Sequence, residues 1–445
     1  MNAEVLNKKG YDESSKIEYP VISMAVILLL IYLSPFISLY LNYLAFGICI
    51  YRVIRYEESV FAVDYCVLAS VSYIFLSTGR VSLLAWLSIA AAVWWVIQKG
   101  VKGNLSFLLL LVLLDYMLLR MQTAVNTFVL CFSQLILMYV LISNQKREGI
   151  VKCIKGFCLS VLISSVYAMV FRNSSQIRSL LGEEIEAYWR SSFTRFQGLF
   201  RDPNYYMTMV AIAIALLAVL YLNKYLTQKV FLAGTGCLLF FGALTYSKTF
   251  LVVLVFSAVL FVAMLFYRKR YFFGIGCILL ILAAAVILSQ TIFSVTIYRI
   301  TSTSNLYDLT TGRSQLLVEY LHEITKDAGR LFFGAGLSAD ILERGTHNLF
   351  LEIIYYFGIV GFGIMTAYVL SLIRLTRQRF GGEKVKRNGI LRYAVLMVFL
   401  LLFSTLQGLI FAITYVMLYL SILVTVIPPP EEEGVFEFSA GGSEQ

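Results

Sequence analysis

Apolar runs of about 17–25 residues recur between Pro20 and Ile427. Each has the length a helix needs to cross a hydrocarbon core roughly 30 Å thick at 1.5 Å per residue. That repetition constrains the fold more than any single motif does. Composition agrees: 60% of the 445 residues are hydrophobic and 14% charged, whereas soluble domains sit near 45–50% apolar and about 25% charged. The chain therefore reads as an all-α integral membrane protein. Met1 to Pro20 is polar and the first apolar run leads directly into another, so no cleavable signal peptide is expected.

The runs lie near 20–35, 37–54, 59–77, 81–97, 105–121, 124–143, 151–171, 204–222, 229–246, 249–267, 271–293, 347–373, 390–406 and 408–427. The first pair is split by Pro35, and merging of neighbouring runs sets the expected range at about 12–14 transmembrane helices. The organisation expected is a cytoplasmic segment 1–19, a single polytopic membrane domain 20–427, and a polar, disordered tail 428–445 whose last residues resemble a linker or tag remnant. A cytoplasmic N-terminus puts Lys8/Lys9, Arg52/Arg55, Lys99/Lys102, Lys146/Arg147, Lys224/Lys229, Arg268/Lys269/Arg270 and the run Arg374 to Arg392 on the inner face. This follows the positive-inside bias and implies an even number of spans with both termini inside. The net charge of +10 is thus mostly a topology signal, and nucleic acid is not an expected partner.

Cys49, Cys66, Cys131, Cys153, Cys158, Cys237 and Cys277 fall in expected spans or at their cytoplasmic ends, which argues against a disulfide framework. No C-x-x-C pair suggests a metal site, and no D-x-D pair suggests a metal-held nucleotide-sugar diphosphate. No repeat of 20–50 residues is apparent.

Two long polar segments face outward in this topology, about 172–204 and 294–346. Transport proteins manage with short loops, so two long ones on one face point to a site there. The first carries Arg172, Arg178, Arg190, Arg195 and Arg201 with no lysine; the second carries Arg299, Arg313, Arg330 and Arg344 with Lys326. A guanidinium presents a planar fork to phosphate oxygens and stays charged, which suits a lipid pyrophosphate at the membrane interface. The same arginines also have Glu183, Glu184, Glu186, Asp308, Glu319 and Glu323 within their own loops to pair with.

Local patterns place several of these residues. In Arg195-Phe-Gln-Gly-Leu-Phe-Arg-Asp-Pro-Asn204, Asp202 caps the following helix and Pro203 fills its first turn, while Gly198 permits close backbone approach. Gly312-Arg313 precedes Leu316, Leu317, Tyr320, Leu321 and Ile324, an apolar stripe expected on an amphipathic surface helix with Glu319, Glu323 and Lys326 opposite. Gly334-Ala-Gly336 marks a turn, and Thr346-His347-Asn348 opens the next long span. The chain has only two histidines; His322 lies on the polar side of the amphipathic helix and is expected to be solvated. His347, at the mouth of a span, can take a proton from a sugar hydroxyl near neutral pH or can bond a helix-end carbonyl. Asp64, Asp115, Arg120 and Glu352 lie inside spans and should face protein or water, with Asp115 and Arg120 able to pair along one helix.

These residues, in this order, resemble the O-antigen ligase/Wzy polymerase superfamily. The resemblance runs through Arg195 to Asn204, Leu244-Thr-Tyr-Ser-Lys248, Gly312-Arg313, Phe333-Gly-Ala-Gly336 and His347-Asn-Leu-Phe-Leu-Glu-Ile-Ile-Tyr-Tyr-Phe-Gly-Ile-Val-Gly361. It covers roughly residues 195–361, and one departure is Ser247-Lys248, where the family often has Ser-Arg. The resemblance implies a membrane glycosyltransferase (GT-C-like) architecture and a metal-independent enzyme without cofactor, acting on a glycan carried by undecaprenyl pyrophosphate at the outer face of the bacterial cytoplasmic membrane. It further implies that Arg195 or Arg201, together with Arg313, holds the pyrophosphate, and that His347 orients or deprotonates the acceptor hydroxyl. Lys248, Asn204, Asn348, Gly198 and Gly312 would line the substrate. Implied partners are undecaprenyl-pyrophosphate-linked oligosaccharides, membrane lipids and a chain-length-regulating co-polymerase. The stretches around Arg201 and His347 look like capsule and exopolysaccharide polymerases. A ligase acting on lipid A core or another terminal acceptor is the alternative. A lipid-oligosaccharide flippase would share the span count, but two related halves and a polar central cavity would be expected of it.

Overall fold

A computed structural model of the chain describes residues 13–79, 81–100, 102–121, 125–182, 194–267, 269, 271–290, 293–302, 312–337, 345–380, 389–405, 408–409 and 411–427. Outside these fall Lys8, Lys9, Glu183, Glu184, Glu186, Arg190, Arg268, Arg270, Asp308, Arg344 and the tail 428–445, and with them the expectations placed on those residues. Regular structure among the described residues is helical, apart from an isolated antiparallel bridge between Leu76 and Ser82. The helices are α1 (Glu13–Leu33), α2 (Tyr40–Arg55), α3 (Glu58–Leu68), α4 (Leu83–Lys99), α5 (Leu105–Leu119), α6 (Val125–Asn144), α7 (Arg147–Val170), α8 (Ser175–Leu181) and α9 (Pro203–Leu222). They continue with α10 (Gln228–Ala243), α11 (Lys248–Tyr267), α12 (Tyr271–Gln290), α13 (Ser294–Thr301), α14 (Arg313–Thr325), α15 (Ala328–Phe333), α16 (Leu349–Phe380), α17 (Gly389–Phe403) and α18 (Ala412–Val424).

Five of these, α6, α7, α9, α11 and α16, are long and apolar enough to cross a membrane. Shorter apolar helices occupy Pro20–Leu33, α4, α5, α10, Tyr393–Phe403 and α18. The protein is thus all-α with helices suited to a membrane, and the figure of twelve to fourteen crossings rests on the sequence.

Burial separates centre from perimeter. The apolar window of α9 is 83% buried, that of α11 only 22%. α9 is apolar all round and rich in alanine (Ala211, Ala213, Ala215), so neighbours close on every side of it. α18 is buried along its length, and α3 packs against α7. Val252, Val255, Val259, Phe272, Leu279 and Leu282 remain exposed on α11 and α12, an outward apolar face that suits lipid better than water.

The charges inside the bundle have definite partners. Arg52 grips Asp64 with two bonds of 2.7 Å and donates a third to the Pro20 carbonyl at 2.7 Å, fastening α1, α2 and α3 together. Opening a buried pair of this kind costs about 3–5 kcal/mol. The Asp115–Arg120 pair does not form: Asp115 is exposed, and Arg120 donates to the Gly334 carbonyl at 2.5 Å. Both Glu352 oxygens are engaged, accepting from Gly408 N at 2.7 Å and Leu409 N at 3.2 Å.

α16 is broken at Gly358 (φ 65°, ψ −174°). The break strips helical partners from the carbonyls before it, and the Gly334–Leu337 turn replaces them. Ala335 N donates to Tyr355 O at 2.7 Å, Gly336 N to Tyr356 O at 2.9 Å, and the Tyr116 hydroxyl to Phe357 O at 2.7 Å. The two main chains touch: a Cβ on Gly334 would collide with the backbone of Tyr356, and one on Gly358 with the backbone of Phe332. This is why the Phe333-Gly-Ala-Gly336 and Tyr355-Tyr-Phe-Gly358 stretches carry glycine where they do.

The amphipathic helix forms as α14, but its stripe divides. Leu316, Tyr320 and Ile324 pack inward, with Tyr320 edge-on to Tyr355 at 5.1 Å, while Leu317, Val318 and Leu321 are exposed. Positions i, i+4 and i+8 meet the protein, and the adjacent apolar row faces out. In the same segment Arg330 pairs with Glu323 and Asp327, and Lys326 with Glu323, which answers for these cations within the loop.

Candidate functional site

The site is built where several helix ends meet. Asp202 caps α9, its Oδ1 accepting from Asn204 N at 2.7 Å, and Pro203 occupies the first turn, as expected. Ahead of the cap the chain turns at Gly198 (φ 58°), where any Cβ would run into the Tyr206 ring. Phe196 N donates to Leu244 O at 2.9 Å, and the Arg195 side chain donates to Thr245 O at 2.9 Å and Asn204 Oδ1 at 3.1 Å. The start of α9, the end of α10 and the start of α11 are thereby tied together. Lys248, the first residue of α11, sits half-buried three residues beyond Thr245. The turn before it is held by Thr245 Oγ1, which donates to Gly242 O at 2.6 Å, and by Ser247 Oγ, which accepts from Phe250 N at 3.4 Å.

Arg195 and Arg201 are therefore not equivalent. Arg195 is 9% exposed and spends its fork on main chain and Asn204, whereas Arg201 is exposed. Arg172, the other arginine in contact with this segment, donates to Thr194 at 2.7 Å (Oγ1) and lies over the Phe196 ring at 5.8 Å. Arg178 bonds Asn173 at 3.1 Å.

The second half comes from α14 and α16. Gly312 (φ 81°) precedes α14, which places half-buried Arg313 at its first residue. Before α16, Asn348 Oδ1 accepts from Leu351 N at 3.1 Å, while Thr346 Oγ1 donates to Asn348 O at 2.9 Å and accepts from Asn348 N at 3.2 Å. Asn348 is thus a helix cap in this structure. The bracket holds His347 at φ 48°, a conformation that costs a non-glycine residue roughly 1–2 kcal/mol.

Electrostatics bring the two halves together. Burial lowers the basicity of His347 below the ordinary imidazole range, the Arg313 charge lowers it further, and Asp202 opposes both. Burial likewise lowers Arg313, with Asp202 again acting in the opposite direction. Asp202, Arg313 and His347 thus share one field, although Asp202 lies more than a hundred residues before the other two in sequence. Asp202 also acts on the hydroxyl of Tyr73, as does Arg201. The product is an imidazole of lowered basicity in the field of the Arg313 cation, with the Asp202 carboxylate opposing it. Such a set can bind an anion and accept a proton beside it. His322 lies exposed on α14, apart from this group.

Sequence reasoning brought out Arg201, Arg313 and His347 but read Asp202 only as a cap and passed over Tyr73. A capping carboxylate uses one oxygen on the helix, and nothing local to the sequence signals what the other faces. Among the described residues, no three His, Cys, Asp or Glu side chains come together as a metal site would require. A separate cavity of about 540 Å³ lies between α9, α10, α11, α12 and α17, lined by Ile214, Tyr221, Phe231, Phe261, Cys277 and Val395 among others. It is apolar and sits along the half of α9 remote from Asp202.

The chain is a helical membrane protein with a cationic, histidine-bearing site where its helix ends converge. Compared with protein-family models, curated proteins and solved structures, it matches none.

Proposed function

We propose that this protein is a membrane glycosyltransferase that polymerises undecaprenyl-pyrophosphate-linked oligosaccharide repeat units at the outer face of the cytoplasmic membrane, in the manner of Wzy-type polymerases. The observation that carries the proposal is the shared field of Asp202, Arg313 and His347, assembled from the segments in which the sequence resemblance lies. Arg201 and Arg313 hold the pyrophosphate of the donor. His347, its basicity lowered by burial and Arg313, accepts the proton of the acceptor hydroxyl as its oxygen bonds to the anomeric carbon. The bond from that carbon to the phosphate oxygen breaks, and undecaprenyl pyrophosphate departs with the electron pair, its charge met by the two guanidiniums. Fixed cations aimed at a developing charge are the largest source of rate in this kind of chemistry. The apolar cavity along α9 suits one strand of an isoprenoid chain and supports a lipid-borne donor.

The test supplies purified protein with lipid-linked repeat unit alone, in detergent with chelator, and resolves the products by size. A ladder of lengthening glycans, lost in Arg313→Ala and His347→Ala, is the expected result. Transfer that begins only when a terminal acceptor is added would instead make the protein a ligase. No transfer to any acceptor, with lipid movement across reconstituted vesicles, would replace the enzyme by a flippase.

A further inference from the structure

Beside the charged cluster lies an aromatic surface drawn from distant parts of the chain. Tyr73 follows the 3-10 turn Ala69–Val71 after α3, Phe200 precedes Arg201, Tyr205 sits in the first turn of α9, and Phe411 leads into α18. Ring centroids are 5.1 Å apart for Tyr73 and Phe200, 6.4 Å for Tyr73 and Phe411, and 5.6 Å for Tyr205 and Phe411. Phe200 and Tyr205 are buried, whereas Tyr73 and Phe411 are half-buried. Two rings thus form a backing for two that keep accessible surface. Phe411 is set in place from below: its N–H donates to Gly408 O at 3.1 Å, and Gly408 N is held by Glu352 at 2.7 Å.

The surroundings of this shelf decide what it would take. Arg201 and Asp202 follow directly on Phe200, whose ring lies 5.1 Å from that of Tyr73, so an exposed cation and a carboxylate stand next to the apolar face. An isoprenoid tail gains nothing from those charges, and a bare phosphate gains nothing from the rings. A pyranose matches both, because its C–H face is apolar while its rim of hydroxyls both donates and accepts. Sites for small polar ligands combine aromatic walls with a few placed polar groups in this way.

We propose that Tyr73 and Phe411 form a stacking subsite for a sugar ring of the acceptor glycan, with Asp202 and Arg201 bonding its hydroxyl rim. The inference rests on the glycosyltransferase reading and adds where the glycan, as distinct from the pyrophosphate, is held. Stacking depends on an aromatic face, so the hydroxyl of Tyr73 is secondary and leucine is the informative replacement at either position.

The experiment measures two ligands separately on the full-length protein in detergent. One is the repeat-unit oligosaccharide released from its lipid by mild acid, followed by saturation-transfer NMR; the other is undecaprenyl pyrophosphate itself. Tyr73→Leu and Phe411→Leu are expected to weaken oligosaccharide binding about tenfold, as loss of an aromatic partner does, with undecaprenyl pyrophosphate binding unchanged. Tyr73→Phe and Phe411→Trp are expected to stay close to wild type, which guards against a packing defect in the leucine variants. Equal oligosaccharide binding by wild type and the leucine variants would overturn the subsite. So would wild-type protein that binds undecaprenyl pyrophosphate but not the oligosaccharide, while leaving the proposed function in place. Failure to bind either ligand would remove both.

Discussion

Replacing Glu352 by glutamine tests how the site end of the bundle is held together. The carboxyl group accepts from Gly408 N at 2.7 Å and Leu409 N at 3.2 Å, in a buried setting at the junction of α17 and α18. Glutamine keeps one acceptor oxygen and turns an NH₂ toward the other amide, leaving a buried donor facing a donor. An orphaned buried donor costs about 1–3 kcal/mol, which raises the local opening equilibrium about fivefold to 150-fold at 1.36 kcal/mol per tenfold. A reporter is already in place. Cys131 is fully buried, and its thiol donates to Leu409 O at 3.5 Å, so it becomes reactive when this junction opens. In a protein whose more accessible Cys237 and Cys277 are serine, maleimide labelling of Cys131 should accelerate by that factor in Glu352→Gln. Cys158, buried in α7 and bonded to Ala213 O at 3.6 Å, should label as before. An unchanged Cys131 rate would refute the argument, and equal acceleration at both cysteines would show a global loss of stability instead of a local one.

The protonation of His347 is open to histidine-labelled NMR once His322 is replaced by glutamine. It should titrate below the ordinary imidazole range because of burial and Arg313, rising in Arg313→Gln and falling further in Asp202→Asn. Its contribution to stability follows the same sign: the unfolded chain takes the proton more readily, so acidification below the ordinary value disfavours the folded state. Movement of both variants in one direction would show that the charges were misassigned. Gly334→Ala and Gly358→Ala should abolish monodisperse protein in size-exclusion chromatography, because each Cβ meets main chain. Gly363→Ala, with nothing within 4 Å of the added carbon, should gain up to about 1 kcal/mol of stability. Arg195→Lys can satisfy only one of Thr245 and Asn204, so it should cost about 1–3 kcal/mol in thermal unfolding whether or not activity survives.

Local chemistry was legible in the sequence wherever one segment decided it. Asp202-Pro203 fixed a helix start, and Thr346-His347-Asn348 opened the long span where expected. Most apolar runs coincided with helices because length and composition act within a single element; the run 59–77 departs from this, its α-helix stopping at Leu68 and a 3-10 turn ending at Val71. Expectations failed or fell short where the partner lay far along the chain. Arg120 passes over Asp115, five residues away, for the carbonyl of Gly334, and the amphipathic stripe of α14 splits because only one of its rows meets α16. Nothing around Tyr73 or Phe411 in the sequence points to Arg201 and Asp202. Their meeting is a property of how helix ends converge, and hydrophobic periodicity carries no record of it.

An unbroken α16 of 32 residues would be a rod about 48 Å long, against a hydrocarbon core of roughly 30 Å. The break at Gly358 leaves a longer rod of about 33 Å after it, close to the thickness of the hydrocarbon core. The shorter piece, which carries Glu352 and begins two residues after His347, is fastened through main-chain bonds to the Gly334–Leu337 turn and not to the rod's own continuation. A helix that must adapt to a thinner or thicker membrane does so by tilting. With a joint at Gly358, the longer rod can tilt while the shorter piece stays on the turn that holds it. The glycine that looks like a flaw in a long helix is what lets its two pieces answer to different neighbours.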